Sequence, residues 1–282
     1  MKIGVFDSGL GGLIMTRAIH DTLPEYDLVY LGDTLHLPYG SRSAEAVYNL
    51  TETAVDYLFS QQDCQIIIIA CNTASASALR RLQQNYLPSK YPNRRILGVI
   101  VPTLEAAIES SHTSIGLIGT ENIISSNVYQ EELEKINPEI KIHALATPLL
   151  VPLIENEGYK YIRSVCEDYL KFFEGRNIQS LILGCTHYPI IKDIISDILG
   201  QDVQIISQPE SIPAKLKDYL NRHPEHESKI SKNSNIKFLL TDITKGYSKT
   251  AAKAFGQDID LIKIELQKAD LKTNIQVQAQ VG

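Results

Sequence analysis

Short apolar runs recur along the chain with stretches of helical periodicity between them, and this alternation constrains the fold more than any other sequence feature. Such runs have the length of buried strands, and helices between them produce a parallel sheet wrapped on its faces. Strands are predicted at residues 3–6, 28–31, 66–70, 96–101, 114–118, 140–145, 181–183, 203–206 and 238–240, and helices within 43–60, 127–135 and 159–173. The predicted fold class is therefore α/β.

Two segments of the chain share one design. Ile-Ile-Ile-Ile-Ala-Cys-Asn-Thr at 66–73 and Leu-Ile-Leu-Gly-Cys-Thr-His at 181–187 each end a predicted buried strand with a cysteine and small polar residues. The repetition predicts two similar α/β lobes. Because ligands of open parallel sheets bind beyond the carboxyl ends of the strands, Cys71 and Cys185 both lie where chemistry is expected.

Size, composition and charge narrow the class of protein. The 282 residues, 44% of them hydrophobic, can bury a large core, and the length favours two compact domains. A net charge of −6 without runs of like charge indicates no nucleic-acid partner. No apolar stretch approaches the roughly 20 residues that span a bilayer, so we expect no membrane partner. The polar residues 267–282 are interpreted as a frayed tail.

The beginning of the chain and its cysteines indicate a cytoplasmic location. Met1 and Lys2 lead directly into the first predicted strand, so we expect no signal peptide. Thiols stay reduced in the cytoplasm, which favours four free cysteines over disulfides. No two cysteines are spaced as C-x-x-C, so no metal site is expected.

The sequence Asp-Ser-Gly-Leu-Gly-Gly at 7–12 follows the first predicted strand and opens a helix. Glycines at such a turn let the backbone approach an anionic ligand at the positive end of the helix. A dinucleotide site is the rival interpretation, because Asp33 ends the next strand where a ribose-binding acid would stand. That fingerprint fails, since Ile14 occupies the third glycine position and Asp7 would repel a pyrophosphate.

Two of the four cysteines carry a chemical signal. A thiol becomes an effective base when a neighbour or a helix N-terminus stabilises its thiolate, and Cys71 and Cys185 stand at such turns among hydroxyl and amide groups. Cys64 and Cys166 fit inert packing. His187 follows Cys185 by two positions, a pairing also used by cysteine hydrolases, but a hydrolase would leave the second cysteine without a role.

Five motifs occur together in one order: Asp-Ser-Gly-Leu-Gly-Gly at 7–12, Gly-Asp-Thr at 32–34, Pro-Tyr-Gly at 38–40, Ala-Cys-Asn-Thr-Ala-Ser-Ala at 70–76 and Leu-Gly-Cys-Thr-His-Tyr-Pro at 183–189. They resemble the signatures of the glutamate racemases, in the aspartate/glutamate racemase family. Segments 152–155 and 249–256 are also similar, so the resemblance covers residues 1 to about 265. The chain departs from the family at Thr147, where cysteine is frequent, and at Ile123, where a second threonine is frequent.

The resemblance implies two lobes with mainly parallel sheets and an active site in the cleft between them. Residues 1–96 and 208–266 would form the first lobe, and 97–207 the second. The implied catalytic residues are Cys71, Cys185, Asp7, His187 and Glu155. The implied substrate-binding residues are Asp7, Ser8, Tyr39, Gly40, Asn72, Thr73, Thr186 and His187.

The activity implied by this resemblance is the racemisation of L- and D-glutamate, supplying D-glutamate for peptidoglycan. One cysteine would remove the α-proton as a thiolate while the other returns a proton to the opposite face as a thiol. Cys185 would deprotonate the L-enantiomer and Cys71 the D-enantiomer. No pyridoxal phosphate site is evident, so no cofactor is expected.

Several alternatives stay open at the level of sequence. Related folds with two cysteines racemise aspartate or hydantoins, and relatives with one cysteine decarboxylate or isomerise diacids. The chain could instead bind an acidic amino acid without turnover, although the complete catalytic set argues against this. Some glutamate racemases also bind DNA gyrase. Nothing in the sequence decides that second role or the formation of a homodimer.

Overall fold

The structure is a computed structural model that describes residues 1–109 and 111–266, so the tail predicted at 267–282 lies outside the described residues. The strands are β1 (Lys2–Asp7), β2 (Leu28–Gly32), β3 (Cys64–Ile69), β4 (Arg95–Gly98), β5 (Ser114–Gly119), β6 (Lys141–Ala146), β7 (Ser180–Gly184), β8 (Gln204–Ile206), β9 (Ile236–Leu240) and β10 (Leu261–Lys263). The helices are α1 (Gly11–Thr22), α2 (Ala44–Ser60), α3 (Asn72–Arg81), α4 (Leu87–Lys90), α5 (Ile100–Glu109), α6 (Glu121–Ser126), α7 (Val128–Ile136), α8 (Leu150–Glu155), α9 (Tyr159–Leu170), α10 (Lys192–Leu199), α11 (Gln208–Arg222), α12 (Pro224–Glu227) and α13 (Tyr247–Phe255).

The strands form two separate sheets. One has six strands in the order β10-β9-β2-β1-β3-β4, and the other has four in the order β6-β5-β7-β8. All strand pairs in the described part of the chain are parallel. Helices cover both faces of each sheet, which confirms the predicted α/β class with two lobes. No helix within these residues is long and apolar enough to cross a membrane.

Burial on both faces explains why the strand sequences are apolar without alternation. Successive side chains of a strand point to opposite faces. In β3, Ile66 and Ile68 pack into the core on one face of the larger sheet, whereas Ile67 and Ile69 pack into the core on the other. Each face is covered by helices, so every position of such a strand is apolar.

The prediction of a strand at 96–101 is wrong for the second half of that range. β4 ends at Gly98, and α5 begins at Ile100. Pro102 lies in the first helical turn, where the missing N–H costs no hydrogen bond. The boundary predicted between residues 96 and 97 falls inside β4, and the exact division between the lobes stays a prediction.

The other predicted elements occur with small shifts at their ends. The predicted helices correspond to α2, α7 and α9, and Ser43 caps α2 by accepting a hydrogen bond from the backbone N–H of Ala46. Strand β10 was not predicted. Its three residues lie at the edge of the larger sheet and are partly exposed, so they lack the buried apolar pattern of the other strands.

The two lobes approach closely at the start of α1. A Cβ placed on Gly11 would lie only 2.4 Å from the carbonyl carbon of Thr186, a residue that follows β7 in the smaller sheet. Only a residue without a side chain lets the two backbones meet at this distance.

We expect Gly11→Ala to lower the free energy of unfolding by about 1–3 kcal/mol, the usual cost of overpacking. The backbone at Thr186 would have to move to admit the methyl group. Denaturant unfolding followed by circular dichroism measures the effect. Gly98→Ala is the control, because its added Cβ would chiefly meet the terminal methyl of Leu79, which can rotate away. Equal destabilisation by both substitutions would contradict this role of Gly11.

Candidate active site

The predicted functional residues gather where strands end. Asp7 ends β1, Cys71 to Thr73 follow β3, and Cys185 to His187 follow β7. Parallel strands place their carboxyl ends on one edge of each sheet, and here the edges of both sheets line one cleft. The volume of the cleft is about 680 Å³, including its open mouth. Its lining residues are Ser8, Leu37, Pro38, Tyr39, Gly40, Ser41, Cys71, Asn72, Thr73, Thr120, Glu121, Thr147, Pro148, Val151, Pro152, Cys185, Thr186 and His187.

The structure brings the predicted site residues together in and around this cleft. Nine of them line it: Ser8, Tyr39, Gly40, Cys71, Asn72, Thr73, Cys185, Thr186 and His187. Asp7 lies fully buried behind Ser8 and Cys71, while Glu155 lies behind His187. Glu155 also lines a neighbouring cavity that shares the wall formed by residues 37, 38, 151 and 152.

Cys71 occupies the cap position of α3. Its sulfur lies 3.5 Å from the backbone N–H of Ala74 and 3.8 Å from the hydroxyl of Ser8. Burial and the negative charge of Asp7 raise the pKa of the Cys71 thiol far above its ordinary value, and the Ala74 N–H opposes this only in part. In the unliganded protein Cys71 therefore holds its proton at neutral pH.

Asp7 is a fully buried carboxylic acid. Burial raises the pKa of its carboxyl to about 6, against the lowering effects of the His187 charge and of the hydrogen bond from the Gly9 N–H at 3.0 Å. Oδ1 accepts that bond, whereas Oδ2 has no hydrogen-bond partner within residues 1–109 and 111–266. Asp7 can thus exchange a proton near neutral pH.

Cys185 stands beside a basic histidine. Its sulfur lies 3.6 Å from Nδ1 of His187, and Nε2 of that ring is hydrogen-bonded to the carboxylate of Glu155. Burial alone would lower the pKa of His187, but the bonds to Cys185 and Glu155 and the charges of both groups raise it well above its ordinary value. His187 is consequently an imidazolium, and such a cation stabilises a thiolate beside it.

Three further residues at this edge were not among the predicted site residues, although Asp33 was considered as a ribose-binding acid and Thr147 as a departure from the family. Thr120 follows β5, and its hydroxyl lies 3.0 Å from that of Thr73. Thr147 follows β6, lines the cleft, and lies 2.7 Å from the Tyr188 hydroxyl. Asp33 is buried outside the cleft and accepts a 2.6 Å bond from the Tyr39 hydroxyl. A threonine or aspartate directly after an apolar run was the available signal.

The departures from the family pattern differ in their consequences. Thr147 stands in the cleft itself and also donates to the carbonyl of Gly119 at 3.2 Å. Ile123 is packed into the apolar core of the smaller lobe and does not line the cleft. The isoleucine therefore forms no part of the wall of the cleft.

Apart from His187, the donors that the cleft offers to a ligand are neutral. None of its lining residues is a lysine or arginine, so carboxylates would be bound by hydroxyl, amide and backbone N–H groups together with His187. In the described ranges, no cluster of three or more His, Cys, Asp or Glu side chains is placed to hold a metal ion.

Comparisons with known proteins agree with this architecture. The model of the Asp/Glu/Hydantoin racemase family matches residues 3–210, and the chain belongs to that family. A glutamate racemase from Dinoroseobacter shibae is 37% identical over 278 residues, which cover 94% of this chain and 99% of that protein. Glutamate racemase isoform RacE1 from Bacillus anthracis superposes with a TM-score of 0.84 at 34% identity, covering 94% of this chain and 97% of that one. The Francisella tularensis glutamate racemase in complex with D-glutamate gives a TM-score of 0.83 at 32% identity and the same coverage.

The raised pKa of Asp7 predicts a pH-dependent cost in stability. The ordinary value is 3.8 and the folded value about 6, so the folded protein binds this proton more tightly than the unfolded chain. Stability therefore falls as the pH rises from about 4 to about 6, and the full cost persists above that range. Asp7→Asn carries no such cost. Its gain in the free energy of unfolding over the wild type should grow by roughly 1–2 kcal/mol from pH 5 to pH 8.

Urea unfolding of both proteins at several pH values measures this difference. The matched control is Asp21→Asn, which alters a carboxylate on α1 that is 55% exposed and so removes no buried charge. A gain for Asp7→Asn that stays constant from pH 5 to pH 8 would contradict the buried titration.

Proposed function

We propose that this protein racemises glutamate by moving the α-proton between two opposed thiols, Cys71 and Cys185, without a cofactor. One observation carries the proposal. Two buried cysteines line the same cleft, one backed by an acid, Asp7, and the other by an imidazolium, His187. The raised pKa of Cys71 makes it the proton donor of the pair, and the sulfur of Cys185, 3.6 Å from His187 Nδ1, is assigned as the proton acceptor.

The direction from L- to D-glutamate uses the two sulfurs in these roles. Cys185, as a thiolate beside the His187 imidazolium, removes the proton from Cα on its face. Cys71 then delivers its own proton to the opposite face and is left as a thiolate. Glu155 keeps His187 positively charged while the negative charge leaves the Cys185 sulfur.

The reverse direction requires Cys71 to begin as the base and Cys185 to begin as the acid, with the proton on Cys185 supplied by the adjacent His187. Asp7 supports this step, because its pKa of about 6 allows it to take up a proton when charge builds on the neighbouring sulfur. The Ser8 hydroxyl lies 3.5 Å from Asp7 Oδ1 and 3.8 Å from the Cys71 sulfur, which places it between the two groups. The same residues thus serve both directions with exchanged roles.

Glutamate is the substrate that the family relatives support best. The similar proteins from all three named organisms are glutamate racemases, and the Francisella tularensis structure contains D-glutamate. Neutral donors on both walls of the cleft can bind two carboxylates while leaving Cα between the sulfurs. The D-glutamate formed would supply peptidoglycan synthesis. The four free cysteines fit a reducing cytoplasm.

We expect purified protein to abolish the optical activity of L-glutamate, as followed by circular dichroism, at a rate unchanged by added pyridoxal phosphate or chelator. L-Aspartate in a parallel reaction tests substrate choice. Faster turnover of aspartate would favour an aspartate racemase. Binding of glutamate without any loss of optical activity would favour a binding protein instead.

Cys71→Ala and Cys185→Ala should each abolish racemisation while the far-ultraviolet circular dichroism stays native. The controls are Cys64→Ala and Cys166→Ala, because both thiols are buried and neither lines the cleft. In deuterium oxide, the first D-glutamate formed from L-glutamate should carry deuterium at Cα, since the donating thiol has exchanged with solvent. Protium at Cα in that early product would mean that a single base serves both faces.

A further inference from the structure

Gln208 makes a contact that joins the two thiol-bearing segments. It is the first residue of α11, follows β8 closely, and is fully buried. Its side-chain nitrogen donates to the carbonyl oxygen of Leu183 at 2.8 Å and to Oδ1 of Asn72 at 3.3 Å. Leu183 precedes Cys185 by two positions, and Asn72 directly follows Cys71. One amide group is therefore bonded to both segments.

The chemistry of donors and acceptors fixes the orientation of this network. A backbone carbonyl can only accept, so the NH₂ group of Gln208 must face Leu183. That NH₂ group has two hydrogens, and the second meets the side chain of Asn72. The oxygen of Asn72 must therefore face Gln208, because two NH₂ groups cannot bond to each other as donors.

A second residue donates a hydrogen bond to the same side-chain oxygen of Asn72. The hydroxyl of Tyr129, on α7, donates to Oδ1 of Asn72 at 2.6 Å. With its oxygen bonded on two sides, Asn72 has its NH₂ group left over, and that nitrogen is buried without a hydrogen-bond partner in the described chain. A buried amide donor without a partner is costly unless a ligand accepts from it, and Asn72 lines the cleft.

We propose that Gln208 and Tyr129 are positioning residues that hold Asn72 so that its NH₂ group donates to a substrate carboxylate. This inference rests on the proposed racemisation of glutamate. Gln208 also links the segment after β3 to the end of β7, so the bond that orients Asn72 ties the two thiols to one framework. Neither residue lines the cleft.

Loss of the hydrogen bond from either Gln208 or Tyr129 to Asn72 should weaken substrate binding. The Asn72 bond to a carboxylate is present in the ground state and in the transition state alike, so its loss raises KM and leaves kcat nearly unchanged. We expect Gln208→Met to raise KM for L-glutamate at least about tenfold, the scale of one hydrogen bond to a charged group. Tyr129→Phe, which removes only a hydroxyl, should raise KM by a smaller factor.

The matched control is Gln65→Met. Gln65 is another buried glutamine whose nitrogen bridges a backbone carbonyl and a side chain, donating to Asn93 O at 2.7 Å and lying 2.9 Å from Nδ1 of His226. It lies at the amino end of β3, away from the cleft. Gln65→Met should lower the melting temperature as Gln208→Met does, but it should leave KM unchanged.

A double-mutant cycle separates positioning from a general structural effect. In an Asn72→Ala background, Gln208→Met and Tyr129→Phe should change kcat/KM by less than about twofold, because the side chain through which they act is gone. Effects of full size in that background would overturn the inference, as would an unchanged KM in the two single variants. If Gln208→Met fails to fold, the Tyr129→Phe cycle alone decides. A wild-type protein that does not racemise glutamate would refute the proposed function, a result distinct from all of these.

Discussion

The contact between the carboxyl edges of two parallel sheets is the constraint on which the site depends. Most strands at these edges end in a short polar segment, and Gly11 approaches Thr186 where the two sets of segments meet at one cleft. Residues that follow six of the strands line the cleft or form the hydrogen-bond network directly behind it; these strands are β1, β3, β5, β6, β7 and β8. A displacement of one lobe would therefore separate the sulfurs and the substrate donors at once.

Electrostatics divides this nearly symmetric cleft into two unlike halves. Both sulfurs are buried at the turn after a central strand, so geometry alone would make them equivalent. The groups behind them are opposite in sign: Asp7 holds the proton on Cys71, and His187 with Glu155 stabilises negative charge at Cys185. A reaction that must both remove and return a proton needs this inequality, because two thiols or two thiolates could not complete it.

Local sequence patterns were sufficient to predict the fold class and to single out Cys71 and Cys185, whereas residues such as Glu155 were implied only by the resemblance to the family. Buried parallel strands are apolar on both faces, and the residues directly after them carry the chemistry, so both can be found along the chain. The network of Tyr129 and Gln208 could not be found in this way. Tyr129 lies within a helix, and its relation to Asn72 depends on how α7 packs against the larger lobe. The misplaced end of β4 has another cause, since an apolar run can continue from a strand into a buried helix without a change in composition.

The lack of a lysine or arginine among the residues lining the cleft fits the strength of base that the reaction requires. The α-proton of an amino acid is very weakly acidic, and a thiolate becomes a weaker base as the pKa of its thiol falls. A lysine or arginine beside Cys71 would bind a substrate carboxylate but would also lower the pKa of that thiol. Neutral donors such as Asn72 and Thr73 can bind carboxylates without this effect. The orientation of these donors must then be set by hydrogen bonds to residues outside the cleft. The buried hydrogen bonds of Asn72 with Tyr129 and Gln208 are of this kind.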